Sequence, residues 1–180
     1  MNALRDHPAP FRPAALEVMP LARLCDRLAR RQRILLEREM ARLEDLICRV
    51  NAAEPGGPGQ SRRLGIAFKA FRSRLVAHMH EEAHLVFPPI RRAGGAVGRS
   101  APAIRALRRR AARWRRQHFQ VDEAIARLRH LAAAPASPGA AVAPRRALRQ
   151  ALARFERLIH EQMYEENRFL FPRALSGCRV

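Results

Sequence analysis

The side chains best suited to chemistry fall in two stretches that copy one another. His78-Met79-His80-Glu81-Glu82-Ala83-His84-Leu85-Val86-Phe87-Pro88 recurs 84 residues later as Gln162-Met163-Tyr164-Glu165-Glu166-Asn167-Arg168-Phe169-Leu170-Phe171-Pro172. Positions i and i+4 of a helix share a face, so His78 points with Glu82 and Gln162 with Glu166. An imidazole and a carboxylate one turn apart, turned into a bundle, are what a metal takes from a helix. The second copy keeps the carboxylate and replaces the imidazole with an amide.

Four helices must position these groups. Apolar residues at Leu21, Leu24, Leu28, Leu36, Met40, Leu43, Ile47 and Val50 predict a first amphipathic helix over 20–50, with a gap at 32–33. The second is expected over 61–87, with Ser61 as its N-cap and Pro88-Pro89 and Gly94-Gly95 ending it. Its inner face reads Leu64, Phe68, Phe71, Leu75, His78, Glu82 and Leu85. The third runs from Pro102 to Ala133, its stripe carrying Ile104, Leu107, Ala111, Trp114, His118, Val121, Ile125 and Leu128. The fourth covers 145–170, with Leu148, Leu152, Phe155, Ile159, Gln162, Glu166 and Leu170 inside. No strand-like alternation occurs. The pattern predicts an all-α, up-down-up-down four-helix bundle over 16–175, with tails at 1–15 and 176–180.

Polar groups on inner stripes need a reason. A lone interior His is usually a hydrogen-bonded core residue, and Trp114, one turn before His118, reads as core packing. Here His78, Glu82, His118 and Glu166 come from three helices, and two buried carboxylates require a cation. Oxygen and imidazole donors suit iron, manganese or zinc, and the absence of Cys from the set argues against an iron–sulfur cluster. Four such ligands complete one site, so one metal per chain is expected rather than two. The repeat extends at an offset of 85, which matches Ala41-Arg42-Leu43 with Ala126-Arg127-Leu128, and Gln32-Arg33 with Gln117-His118. That register puts Arg33 at the place of His118 in the other hairpin. A guanidinium there would pair with Glu82 or Glu166, with Gln162 supplying a further hydrogen bond. A one-residue rotation would instead turn Gln32 inward and leave Arg33 in solvent.

The His-x3-Glu pattern ending in Val-Phe-Pro, repeated as Glu166-Asn167-Arg168-Phe169-Leu170-Phe171-Pro172-Arg173-Ala174, resembles the hemerythrin-like (HHE cation-binding) family. Within it, the chain is most similar to the di-iron proteins that repair iron centres. The resemblance covers roughly 20–175 and implies a non-haem iron centre held by one His per helix and two bridging Glu. It also implies a role with dioxygen, nitric oxide or damaged iron–sulfur clusters under oxidative or nitrosative stress. His78, Glu82, His118 and Glu166 match the ligand pattern. Gln162, and Gln32 or Arg33, stand where the family has His.

Elsewhere the sequence sets wider bounds. The 180 residues suit one domain with a real core, and a net charge of +19 is carried almost wholly by Arg, with Lys69 the only lysine. The arginines lie on every helix, which favours a solvated basic surface. A nucleic-acid partner along Arg108, Arg109, Arg110, Arg113, Arg115 and Arg116 is one alternative, and a metal-free regulatory bundle is another. Cys25, Cys48 and Cys178 form no pair or zinc motif and read as free thiols. No run approaches the ~18 apolar residues of a membrane helix, so a cytoplasmic protein is expected. His80 and His84 form an outward i, i+4 pair, and His160 and Tyr164 also face outward.

Overall fold

The computed structural model describes residues 13–53, 59–92, 101–134 and 142–176, and every element among them is helical. The first helix, α1 (Pro13–Val18), leads into α2 (Leu21–Arg33). A π-helical segment (Ile34–Glu39) joins α2 to α3 (Met40–Ala53) without interruption. Then follow α4 (Gln60–Leu85), the short α5 (Phe87–Arg92) and the long α6 (Ala101–Ala133). Last come α7 (Val142–Glu165), a second π-helical segment (Glu166–Leu170) and α8 (Phe171–Ser176). The chain is all-α. Its long helices close a ring, in which α3 and α6 each pack against both α4 and α7.

Apart from Leu36 and Leu85, the described apolar residues that periodicity assigns to the interior are buried, in two separate clusters; the side chain of Ile104 lies outside the described residues. One is built around Met40, Leu43, Phe68, Leu75, Leu128 and Phe155. The other gathers Leu24, Leu28, Phe87, Trp114, Leu170 and Phe171, with Trp114 stacked on Phe171 at a centroid distance of 5.4 Å. Along each helical stretch a buried polar residue falls between the two clusters: Gln32, then His78 and Glu82, then His118, then Gln162 and Glu166. The bundle is two dry cores with one polar layer between them.

Several expected boundaries move, each for a local reason. Pro88 and Pro89 do not end a helix; they sit in the first turn of α5, where a missing N–H costs nothing. Pro172 does the same in α8, so both Phe-Pro copies open a short terminal helix. The chain turns at Val86, which leaves α4 with φ −111° and is itself buried, while Leu85 is 46% exposed rather than inside. Ser61 is not the N-cap, because α4 already begins at Gln60 after Gly59. Its hydroxyl instead accepts from the buried guanidinium of Arg145, 3.3 Å away, which also donates to the carbonyls of Leu131 and Ala134 at the end of α6. Residues 13–15, expected in a tail, belong to α1, whose Leu16 is buried and whose carbonyl accepts from Arg173 at 2.8 Å.

Cys25 and Cys48 are free, and burial pushes the Cys25 thiol up to about 12; Cys178, Gly94 and Gly95 lie outside the described residues. No described helix is long and apolar enough to cross a membrane. Phe155 is fully buried against Phe71, so Phe155→Ala is expected to cost ~3–5 kcal/mol in urea unfolding. Leu85→Ala should stay within ~0.5 kcal/mol of the parent, as surface substitutions do.

Candidate metal centre

His78 and Glu82 project from α4, His118 from α6, and Glu166 from the π-helical turn that follows α7. All four are buried, and one ligand atom from each lies within 4.8 Å of the others. His78 Nε2 stands 3.4 Å from Glu82 Oε1, and His118 Nε2 stands 3.3 Å from Glu166 Oε2. The two imidazoles meet edge to face at 5.1 Å between centroids. Atoms bonded to one ion at ~2.1 Å can be at most ~4.2 Å apart, so the set closes on a metal by moving less than about an ångström.

Each ligand is tied on its outer side and open on its inner side. Gln32 Nε2 donates to Glu82 Oε2 at 2.7 Å, and Gln162 Nε2 donates to Glu166 Oε1. Gln117 Oε1 lies 3.0 Å from His78 Nδ1 and accepts its proton, leaving a lone pair on Nε2 directed at the cluster. Glu82 Oε1, His118 Nε2 and Glu166 Oε2 are buried without a hydrogen-bond partner. One such atom costs ~1–3 kcal/mol; a single cation would meet all three at once. Asn167 lies 3.0 Å from His118 Nδ1 through Nδ2, while its own Oδ1 is buried and unpartnered. Turning that amide satisfies Oδ1 with the Nδ1 proton and frees Nε2 to bind a metal.

The buried carboxylates divide by their partners. Glu165 is held by Arg27 through several contacts of 3.0–3.2 Å and by Arg31 at 2.7 Å, and Glu39 by Arg154 at 3.0 Å. Glu82 and Glu166 have amide donors and imidazoles but no arginine among the described residues. The protein neutralises two interior acids with guanidinium groups and leaves two facing each other. Burial, and then the neighbouring Glu166 charge, push the Glu82 carboxyl well above the usual range. Burial also lowers the His78 imidazole, the Glu166 charge opposing this in part, so His78 favours the neutral, metal-ligating form.

Arg33 does not enter the site; it is exposed, and Gln32 takes the inward position. The reason is the π-helical segment Ile34–Glu39, which inserts one residue into the turn. Downstream the offset of 85 holds; upstream it becomes 86, so Gln32 answers to His118. The same insertion makes Leu35 fully buried and Leu36 only partly so. Gln162 lies inside as expected. The roles of Gln117 and Asn167 as partners of the two imidazoles are new, as is the Arg27–Glu165–Arg31 clamp beside Glu166. The i, i+4 spacing of Arg27 and Arg31 was its one visible sign. Of the remaining histidines, His80 and His84 stack at 4.0 Å on the surface with no third ligand among the described residues, and His160 pairs with Asp122 at 3.0 Å. Tyr164 is half-exposed, edge-on to Phe169.

No family model matches the sequence, and no curated protein matches it significantly. The four side chains can hold a metal ion on their geometry alone.

Glu82→Gln tests the charge argument through stability. The folded Glu82 carboxyl titrates above its unfolded value of 4.5. Below that value it is protonated in both states; as pH rises past it only the unfolded chain ionises, so folding weakens. The metal-free variant should therefore exceed the metal-free parent in stability at neutral pH by ~1–3 kcal/mol, the gap closing near pH 4.5. Denaturant unfolding at several pH values in a chelator measures it. A variant no more stable at neutral pH would contradict the argument.

Proposed function

We propose that the chain is a hemerythrin-like, up-down-up-down four-helix bundle that holds one non-haem iron ion and uses it to bind or sense dioxygen or nitric oxide. The observation that carries this reading is the convergence of two imidazoles and two otherwise uncompensated carboxylates, each with its outer atom fixed and its inner atom open. Two nitrogen and two oxygen donors fit iron(II), and also manganese or zinc, better than a soft metal. Four protein ligands leave positions on a six-coordinate ion for a small molecule. A cavity of about 370 Å³ between α4 and α6, bordered by His78 and Gln117, offers such a molecule an approach from solvent.

The resemblance to di-iron proteins supports the bundle topology, but the donor set supports a single ion. A second ion between Glu82 and Glu166 would find the amides of Gln32 and Gln162 in place of imidazoles. These amides hold the two carboxylates at their outer oxygens, which keeps the acids together when only one cation is present. Iron bound at this site would supply reversible coordination of the diatomic ligand. The protein's part is to orient the imidazoles through Gln117 and Asn167 and to keep bulk water from the buried carboxylates.

Anaerobic iron(II) titration of the metal-free protein, with iron per chain measured after desalting, tests the reading. One tightly held iron per chain is expected, with an absorption spectrum that changes on adding nitric oxide. The double variant Gln32→His with Gln162→His should take up two. No retained iron, or two in the parent, would overturn it.

A further inference from the structure

The outer face of α6 is as distinctive as its inner one. From 101 to 121 the helix has seven arginines and no acid. Two of these are engaged with α4: Arg110 donates to the carbonyl of Leu85 at 2.9 Å, and Arg113 pairs with Glu81 at 3.3 Å. The other five, Arg105, Arg108, Arg109, Arg115 and Arg116, are all exposed and have no carboxylate partner among the described residues. The buried face of the same helix carries Leu107, Ala111, Trp114 and His118. At 100° per residue, Arg105, Arg109 and Arg116 lie opposite the buried face and Arg108 and Arg115 on one flank of it, together a stripe ~16 Å long. Phe119 continues that stripe by one turn and is 71% exposed. Asp122 and Glu123 end the acid-free run.

Like charges three and four residues apart oppose helix formation, as Arg105 does with Arg108 and Arg109. The fold tolerates this repulsion on one face while it pairs the arginines that face α4. A linear polyanion relieves it. Phosphodiesters present such a row of charges, and guanidinium groups bind their oxygens two at a time. A lipid surface suits the stripe less well, because the apolar side of α6 is buried in the bundle and, among the described residues of the helix, Phe119 alone is left to insert. A basic track ending in an exposed aromatic is the arrangement that binds unpaired strands, with backbone on the charges and a base on the ring.

We infer that the outer face of α6 is a binding site for single-stranded nucleic acid, in which Arg105, Arg108, Arg109, Arg115 and Arg116 contact phosphates and Phe119 stacks on a base. This site is independent of the metal centre and does not require it.

The test is fluorescence anisotropy of the full chain with a labelled 20-nucleotide single strand across a salt series. The expected slope of log affinity against log salt is about −3 to −4, at ~0.7 for each of five phosphates. Arg105→Ala/Arg109→Ala/Arg116→Ala should reduce that slope by about two and weaken binding at least tenfold at low salt. Phe119→Ala should weaken single-strand binding about tenfold with the slope unchanged. As a control, Arg30→Ala/Arg38→Ala/Arg42→Ala removes the same charge from exposed positions on another helical stretch and should change neither quantity. Circular dichroism checks that each variant keeps its helicity. Equal losses from the two triple variants would overturn the site, showing diffuse attraction by net charge. So would tighter binding to phosphatidylserine vesicles than to the strand, a Phe119→Ala variant that binds as the parent does, or no binding in 50 mM salt.

Discussion

Two carboxylates that share a dry interior without a fixed cation constrain everything around them. Glu82 and Glu166 sit where the two apolar clusters meet, and each would lose several kcal/mol of hydration there. The bundle cannot relax them toward solvent, because dry core lies on both sides. No arginine cancels them, since the buried Arg31 and Arg145 are committed to Glu165 and to the carbonyls at the end of α6, so without an ion the charge is relieved by a proton held on Glu82. A divalent ion would answer the charge, the three unpartnered inner atoms and the two imidazoles at once. The layer is costly when empty, and the apolar clusters on either side must supply the stability that holds it shut.

The layer is also lopsided in an informative way. Each carboxylate receives one amide N–H on the outside, from Gln32 on α2 and from Gln162 on α7, and one imidazole on the inside. Amides hold carboxylates without adding charge, so they fix the geometry while leaving the demand for a cation in place. Arginines in the same two positions would have removed that demand. Arg31 comes within one residue of doing so, yet its guanidinium is turned to Glu165 and Glu161. The neighbouring acid keeps the nearest cation out of the site.

Much of this was legible in the sequence. Four of the core stripes, the three-helix origin of the ligands and the inward Gln162 follow from 3.6-residue periodicity and from the repeat. What periodicity cannot supply is an inserted residue. The gap at 32–33 marked the irregularity but not its kind, and the π-helical segment then moved Arg33 out and Gln32 in. The Phe-Pro copies were read as helix ends because proline stops a helix from within; as first-turn residues they start one. Gln117, Asn167 and Glu165 were visible only as polar residues beside candidate ligands. Their roles depend on how neighbouring helices meet, which no single stretch of sequence contains.

The most direct test of the central claim is anomalous diffraction from crystals grown with iron(II), recorded at the iron edge. The account predicts one strong peak per chain within ~2.5 Å of His78 Nε2, His118 Nε2, Glu82 and Glu166, a distance set by ordinary iron–ligand bonds. A peak at the exposed His80–His84 pair with none in the interior would contradict it, as would a bundle whose two carboxylates close on each other with no ion bound.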